Sequence, residues 1–218
     1  MVVRRNNRVG IIRVLTTDDK SLLHRHGRIL EGAFPALAFD SRCIPDQPEG
    51  IHDAETERMA SPKVAALARE MVCEGVGGIL VSCAGDPAVR ELQRELPVPV
   101  VGAGIATAHL ACTFGAPVGV LGITEDVPEE MRMILGSLLV AAVRPDAVTS
   151  TLDLMTPAGR EQAVAAAGRM KAQGVRVLAL ACTGFATIGI AQVLREETGL
   201  VVIDPLIAAG AAMWSALC

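Results

Sequence analysis

One pattern occurs twice in this chain. The run Gly75-Val76-Gly77-Gly78-Ile79-Leu80-Val81-Ser82 leads into Cys83, and Gly174-Val175-Arg176-Val177-Leu178-Ala179-Leu180-Ala181 leads into Cys182. Each cysteine stands eight positions after its glycine, so the copies superpose at an offset of 99 residues. The same offset lays Lys63–Met71 over Gln162–Met170, and Val9-Gly10-Ile11-Ile12 echoes Val118-Gly119-Val120-Leu121 at a slightly different one. A period this long exceeds that of solenoid repeats and reads as duplication of a whole domain.

Each copy has an α/β pattern. Apolar, β-branched runs predict strands at Val9–Thr16, Ala36–Ser41, Val76–Ser82, Val98–Gly102, Val118–Thr124, Val140–Val143, Val175–Ala181 and Val201–Asp204. Ser21–Ala33 reads as a helix. Ser61-Pro62 reads as the start of another that runs to about Glu74, with serine as cap and proline in the first turn. Strands alternating with helices predict parallel sheets made of βαβ units. Each half thus has four strands, and the join falls near Gly102-Ala103-Gly104, giving domains at 1–103 and 104–203. The core needs few aromatics: hydrophobic residues make up 51% of the chain, yet there are one Trp, four Phe and no Tyr. Small aliphatic side chains suit parallel sheets covered by helices.

Charge and cysteine usage exclude several classes. A formal charge of −4 gives no general attraction for nucleic acid, and Arg4, Arg5 and Arg8 form only a short, solvated cluster. The opening Met-Val-Val-Arg-Arg-Asn-Asn lacks the apolar stretch of a secretory signal, and Asp204, Pro205 and Gly210 interrupt the apolar Leu200–Leu217 segment. Six irregularly spaced cysteines do not make a disulfide scaffold, so a reducing cytoplasm with free thiols is expected. His24, His26, His52 and His109 have no metal-ligand spacing with them, so no zinc site is expected. None of the three lysines sits in a Schiff-base setting, Gly102-Ala103-Gly104 lacks the third glycine of a dinucleotide fingerprint, and no P-loop or Gly-x-Ser-x-Gly occurs.

What remains is the cysteine pair. Parallel sheets bind ligands at the carboxyl ends of their strands, where both cysteines fall. In Cys83-Ala84-Gly85-Asp86-Pro87, Asp86 is a suitable cap and Pro87 a suitable first residue for the next helix; in Cys182-Thr183-Gly184, Thr183 can cap. A helix N-terminus would lower the thiol pKa, and its N–H groups would hold an enolate oxygen. Duplicated halves placed face to face would oppose the two thiols across a cleft. Opposed thiols can remove a proton from one face of a carbon and return one to the other, which is racemisation without a cofactor. Cys73 and Cys112 read as helix-packing residues, Cys218 is terminal, and Cys43 heads the longest polar, proline-bearing connection, Cys43–Asp53.

The chain resembles the aspartate/glutamate/hydantoin racemase superfamily, most of all its hydantoin-racemase branch. The resemblance rests on Ser82-Cys83-Ala84-Gly85-Asp86-Pro87, Val98-Pro99-Val100-Val101-Gly102, Val118-Gly119-Val120-Leu121, Ala181-Cys182-Thr183-Gly184 and the Gln47-Pro48-Glu49-Gly50-Ile51 loop, and spans almost the whole chain. It implies two similar three-layer, flavodoxin-like α/β domains related by a pseudo-two-fold axis, with the site between them. It also implies Cys83 and Cys182 as acid and base, no cofactor, no metal, a small-molecule substrate, a homo-oligomer, and a C-terminal segment, 204–218, packed back on the first domain. Ala84, Gly85, Thr183, Gly184, Ile51, Thr124, Thr16 and Thr17 are the expected substrate contacts. Two departures bear on the substrate. Many hydantoin racemases have an Asn-Pro-Asn-like turn where Thr16-Thr17-Asp18 stands, and glutamate racemases have a histidine close after the second cysteine, where Gly184-Phe185 stands. The expected substrate is a 5-substituted hydantoin or related cyclic ureide. The alternatives are an aspartate-type amino-acid racemase, an isomerase or decarboxylase acting on a dicarboxylate held by Arg13 and Arg42, and a non-catalytic small-molecule sensor.

Overall fold

The computed structural model describes residues 6–218, so Arg4 and Arg5 of the basic cluster lie outside the described residues. Two four-stranded parallel sheets are built from successive parts of the chain. The first holds β1 (Arg8–Arg13), β2 (Ala38–Cys43), β3 (Gly78–Ser82) and β4 (Val100–Gly102) in the order β2-β1-β3-β4. The second holds β5 (Val118–Gly122), β6 (Leu139–Val143), β7 (Val177–Ala181) and β8 (Val201–Ile203) in the order β6-β5-β7-β8. The strand order is the same in both sheets. The helices are α1 (Lys20–Leu23), α2 (Arg25–Ala33), α3 (Ala54–Cys73), α4 (Val89–Glu95), α5 (Ala103–Cys112), α6 (Glu129–Leu135), α7 (Thr151–Leu154), α8 (Pro157–Ala172), α9 (Gly184–Thr187), α10 (Ala191–Thr198) and α11 (Pro205–Leu217).

The duplication extends to side-chain contacts. In β1, a Cβ added to Gly10 would stand 2.8 Å from Met71 Cε; in β5, one added to Gly119 would stand 2.6 Å from Met170 Cε. Each methionine of the repeated helix therefore fills the space of a missing side chain at the centre of its sheet, which brings helix and sheet into close contact. After each helix the chain reverses through a left-handed glycine, Gly75 (φ 91°) or Gly174 (φ 92°), as helix C-termini favour. The next strand, β3 or β7, is buried along its whole length.

The helix expected from Ser61 begins earlier, at Ala54. Asp53 accepts the N–H of Thr56 (2.7 Å) and Thr56 Oγ1 accepts the N–H of Asp53 (3.1 Å), a reciprocal cap that outcompetes the Ser61-Pro62 start. Pro62 then lies inside the helix, and Ser61 Oγ donates to the Glu57 carbonyl at 2.9 Å. The predicted helix Ser21–Ala33 is divided into α1 and α2 at His24.

Helix α11, capped by Asp204, lies against β3, β4, α2 and α5. Met213 covers Gly78, and Phe34 and Leu30 cover Gly210, so two glycines permit the close approach. The cores also interpenetrate near the cysteines. Ala84, beside Cys83, is buried with Val120, Ala179 and Ala181 of the second sheet. Ala186, shortly after Cys182, is buried with Val9, Ile11 and Leu80 of the first. Each cysteine turn is thus packed into the other half of the molecule.

Candidate active site

A cleft of about 1060 Å³ opens at the carboxyl ends of the central strands, and both Cys83 and Cys182 line it. Cys83 follows β3 and Cys182 follows β7, so the matched sequence positions become matched walls. Cys182 Sγ accepts the N–H of Gly184 at 3.3 Å and lies 3.7 Å from Thr151 Oγ1. The N–H of Gly85 plays the corresponding part for Cys83. The lowered pKa expected from the helix ends is not what the environment produces. Burial pushes both thiols above their ordinary value, and the N–H bonds oppose this only partly. The charges of Asp86, Cys182 and Glu57 push Cys83 up further.

Ala84, Gly85, Ile51, Thr124, Thr183 and Gly184 all line the cleft. Thr16 and Thr17 do not; the neighbouring Val14 and Leu15 do. Thr16 instead pins the Cys43–Asp53 connection: its hydroxyl donates to the Ile44 carbonyl and accepts the Gln47 N–H, both at 2.7 Å. Thr17 Oγ1 accepts the Asp19 N–H at 3.2 Å. The hydroxyls are used locally, and the loop they brace presents Pro48–Asp53 to the cleft. Two further expectations change. Asp86 does not cap the helix that follows it, since α4 begins at Val89 behind Ala88. Its carboxylate accepts the Gly104 and Ile105 N–H groups, 3.0 and 2.6 Å, at the start of α5. Thr183 gives α9 no side-chain cap, and its hydroxyl donates to the Ser82 carbonyl at 3.1 Å. Both side chains therefore tie the cysteine turns to elements remote in sequence. Cys43 stays outside the cleft lining, and Cys73, expected to pack, is exposed. Cys112 is partly buried, with Sγ 3.6 Å from the Ile134 carbonyl.

Thr151 is a cleft residue that the sequence reading missed. The Ser150-x-x-Asp153 capping box that starts α7 is visible in the sequence, but its nearness to Cys182 is not. The charge of the cleft was equally hidden. Glu49, Asp53, Glu57, Glu125, Glu129 and Glu130 line it, and burial together with Glu129 raises the pKa of the Glu57 carboxyl. Of the lining arginines, Arg13 is buried and donates to the Leu22 and Leu23 carbonyls at 2.7 and 3.2 Å. Arg132 lies 3.6 Å from Asp126, and Arg144 lies 3.7 Å from Glu125. Arg42 is outside the lining and pairs with Asp40, Glu70 and Glu74. Among the described residues no group of three or more His, Cys, Asp or Glu is arranged to hold a metal ion, and no helix is long and apolar enough to cross a membrane.

Solved structures share this architecture. Allantoin racemase from Klebsiella pneumoniae is 23% identical, with a TM-score of 0.81 over 95% of this chain and 86% of that one. Allantoin racemase from Pseudomonas fluorescens is 20% identical, with a TM-score of 0.80 over 95% and 89%. Glutamate racemase from Thermus thermophilus is 16% identical, with a TM-score of 0.67 over 98% and 81%. No curated protein matches the chain. The Asp/Glu/Hydantoin racemase family model matches residues 9–213, which take in both sheets apart from Arg8, the first residue of β1, and both cysteine turns. With that match over nearly its whole length, the chain belongs to the Asp/Glu/hydantoin racemase family and is an isomerase of the racemase type.

Proposed function

We propose that this protein is a cofactor-independent racemase in which Cys83 and Cys182 act as acid and base on a neutral cyclic ureide, a 5-substituted hydantoin or allantoin-like ring. The observation that carries the reading is the pair of cysteines on matched turns, lining one cleft from two halves of the fold. In one direction the thiolate of one cysteine takes the proton from the carbon next to the carbonyl. The electron pair moves onto the carbonyl oxygen, giving a planar enolate, and the other cysteine's thiol protonates the opposite face. The cysteines then have exchanged protonation states, and the enantiomer formed is a substrate for the reverse cycle. N–H groups of the two turns stabilise the enolate oxygen. Because burial favours the neutral thiol, the state with one thiol and one thiolate is reached by losing a single proton.

The preference for a neutral ring rests on cleft charge. A second substrate carboxylate would need a cation in a partly desolvated site. Arg13 is turned to backbone carbonyls, Arg132 and Arg144 stand beside acids, and Arg42 is elsewhere. The allantoin racemases that share the fold suit the same reading. The test is solvent-deuterium incorporation and loss of optical rotation across allantoin, 5-benzylhydantoin, L-aspartate and L-glutamate. Inversion of a cyclic ureide is expected to be fastest, and Cys83→Ser and Cys182→Ser should each cut it by about 10²-fold or more. Each mutant should still exchange the α-proton of one enantiomer, a different one in each. Faster inversion of either amino acid would overturn the substrate assignment, and near-wild-type inversion by either mutant would overturn the pair.

A further inference from the structure

The proposed mechanism needs two sulfurs held at a fixed separation, yet they belong to different sheets. One fully buried side chain joins their turns. His26, on α2, has Nδ1 2.7 Å from Ser82 Oγ and Nε2 2.7 Å from Thr187 Oγ1. Ser82 immediately precedes Cys83, and Thr187 ends the short helix that follows Cys182-Thr183. Two more bonds close the circuit: Thr187 Oγ1 to the Thr183 carbonyl at 3.3 Å, and Thr183 Oγ1 to the Ser82 carbonyl at 3.1 Å.

Donor bookkeeping gives the circuit one direction. If Thr187 donates to the Thr183 carbonyl, its oxygen accepts Nε2–H of His26. Nδ1 then accepts the Ser82 hydroxyl, and every hydroxyl and ring nitrogen has a partner. The neutral imidazole fits this arrangement, because in the cation Nδ1 would become a donor and no longer accept the Ser82 hydroxyl. Burial and the nearby Arg13 and Arg25 charges also hold His26 neutral. Buried polar circuits that are fully satisfied rigidify their surroundings.

We propose that His26 is a positioning residue that fastens the Cys83 turn to the Cys182 turn and so sets the spacing between the two thiols. This rests on the two-cysteine reading above. His26 lines no part of the cleft, whereas Ser82, Thr183 and Thr187 all line it. Its effect falls on the relation between the halves rather than on either half alone. The Nε2 arm crosses between the halves; the Nδ1 arm stays within the first.

This division yields a readout that simple loss of folded protein cannot imitate. Misalignment slows delivery by the second cysteine, so the enolate returns through the first, whose thiol has exchanged with solvent. The ratio of inversion to deuterium exchange then falls, whereas partial unfolding lowers both rates together. The experiment follows both rates in D₂O, by NMR and polarimetry, with whichever of allantoin and 5-benzylhydantoin the wild type inverts faster. Thr187→Val removes the crossing arm and His26→Asn retains reach only to Ser82. Each should lower the ratio by about tenfold or more, since ångström-scale misplacement of reacting groups can cost 10²-fold. His26→Gln, whose amide reaches as far as Nε2, should restore much of the ratio. Parallel loss of inversion and exchange in Thr187→Val and His26→Asn, or a wild-type ratio in either, would overturn the positioning role while leaving the two-cysteine reading standing. Failure of the wild type to invert either ring would remove both.

Discussion

Asp86 supplies the most quantitative test of how this site is built. Its buried carboxyl is pushed up to about 7 from 3.8, chiefly by desolvation, against the two backbone N–H bonds that favour its charged form. The folded state therefore keeps the proton over a window in which the unfolded chain has already lost it. In that window the folded state binds more protons, so stability must fall as pH rises from about 4 to about 7, and this contribution is flat outside it. A shift of about three units corresponds to ~4 kcal/mol across the window, of which ~2–3 kcal/mol lies between about pH 5 and pH 8. Asp86→Asn removes the titration while keeping a carbonyl acceptor for one of the two N–H groups. Urea unfolding of both proteins at several pH values, taken as the difference between them, cancels groups that titrate identically in each. The difference should move in favour of the asparagine variant by ~2–3 kcal/mol between about pH 5 and pH 8. Parallel stability curves would refute the reasoning, because they would mean that Asp86 is already ionised at little cost in the folded protein. The variant should also lower the Cys83 thiol pKa, since the Asp86 charge helps to raise it.

Three other outcomes follow from the same structure. Because burial raises both thiols, kcat/KM should still be climbing above the ordinary thiol range of about 8.5, as one of them loses its proton. Thr151→Val removes a hydroxyl contact that lowers the Cys182 pKa. The ascending limb of kcat/KM should therefore move to higher pH, and by the same amount for both enantiomers, because the two thiols titrate as a pair and an equilibrium constant of one ties the two kcat/KM values together. Met213→Ala, at a fully buried contact between α11 and Gly78, should cost about 2–5 kcal/mol in urea unfolding; a loss well under 1 kcal/mol would show that the contact is not a packed one.

The strands, the repeat and the two cysteine turns could be read from the sequence because each depends on local information. An apolar run buried on both faces is a strand of a covered parallel sheet wherever it sits, and β3 and β7 stand within the runs that precede Cys83 and Cys182. Gly10 and Gly119, with Met71 and Met170, repeat because the same helix must rest on the same sheet twice. What tertiary structure alone decided was the partner of each polar side chain. Asp86 was a reasonable cap for its own helix, but α5 brings two N–H groups to it from 18 and 19 residues away. Thr16 was a reasonable cleft residue, but a loop returning beside β1 takes up its hydroxyl. His26 fitted no spacing rule, because its partners lie 56 and 161 residues along the chain. Hydrophobic patterning specifies which face of an element is buried. It does not specify which distant donor or acceptor will meet a polar atom there, since that depends on how two independently patterned halves dock.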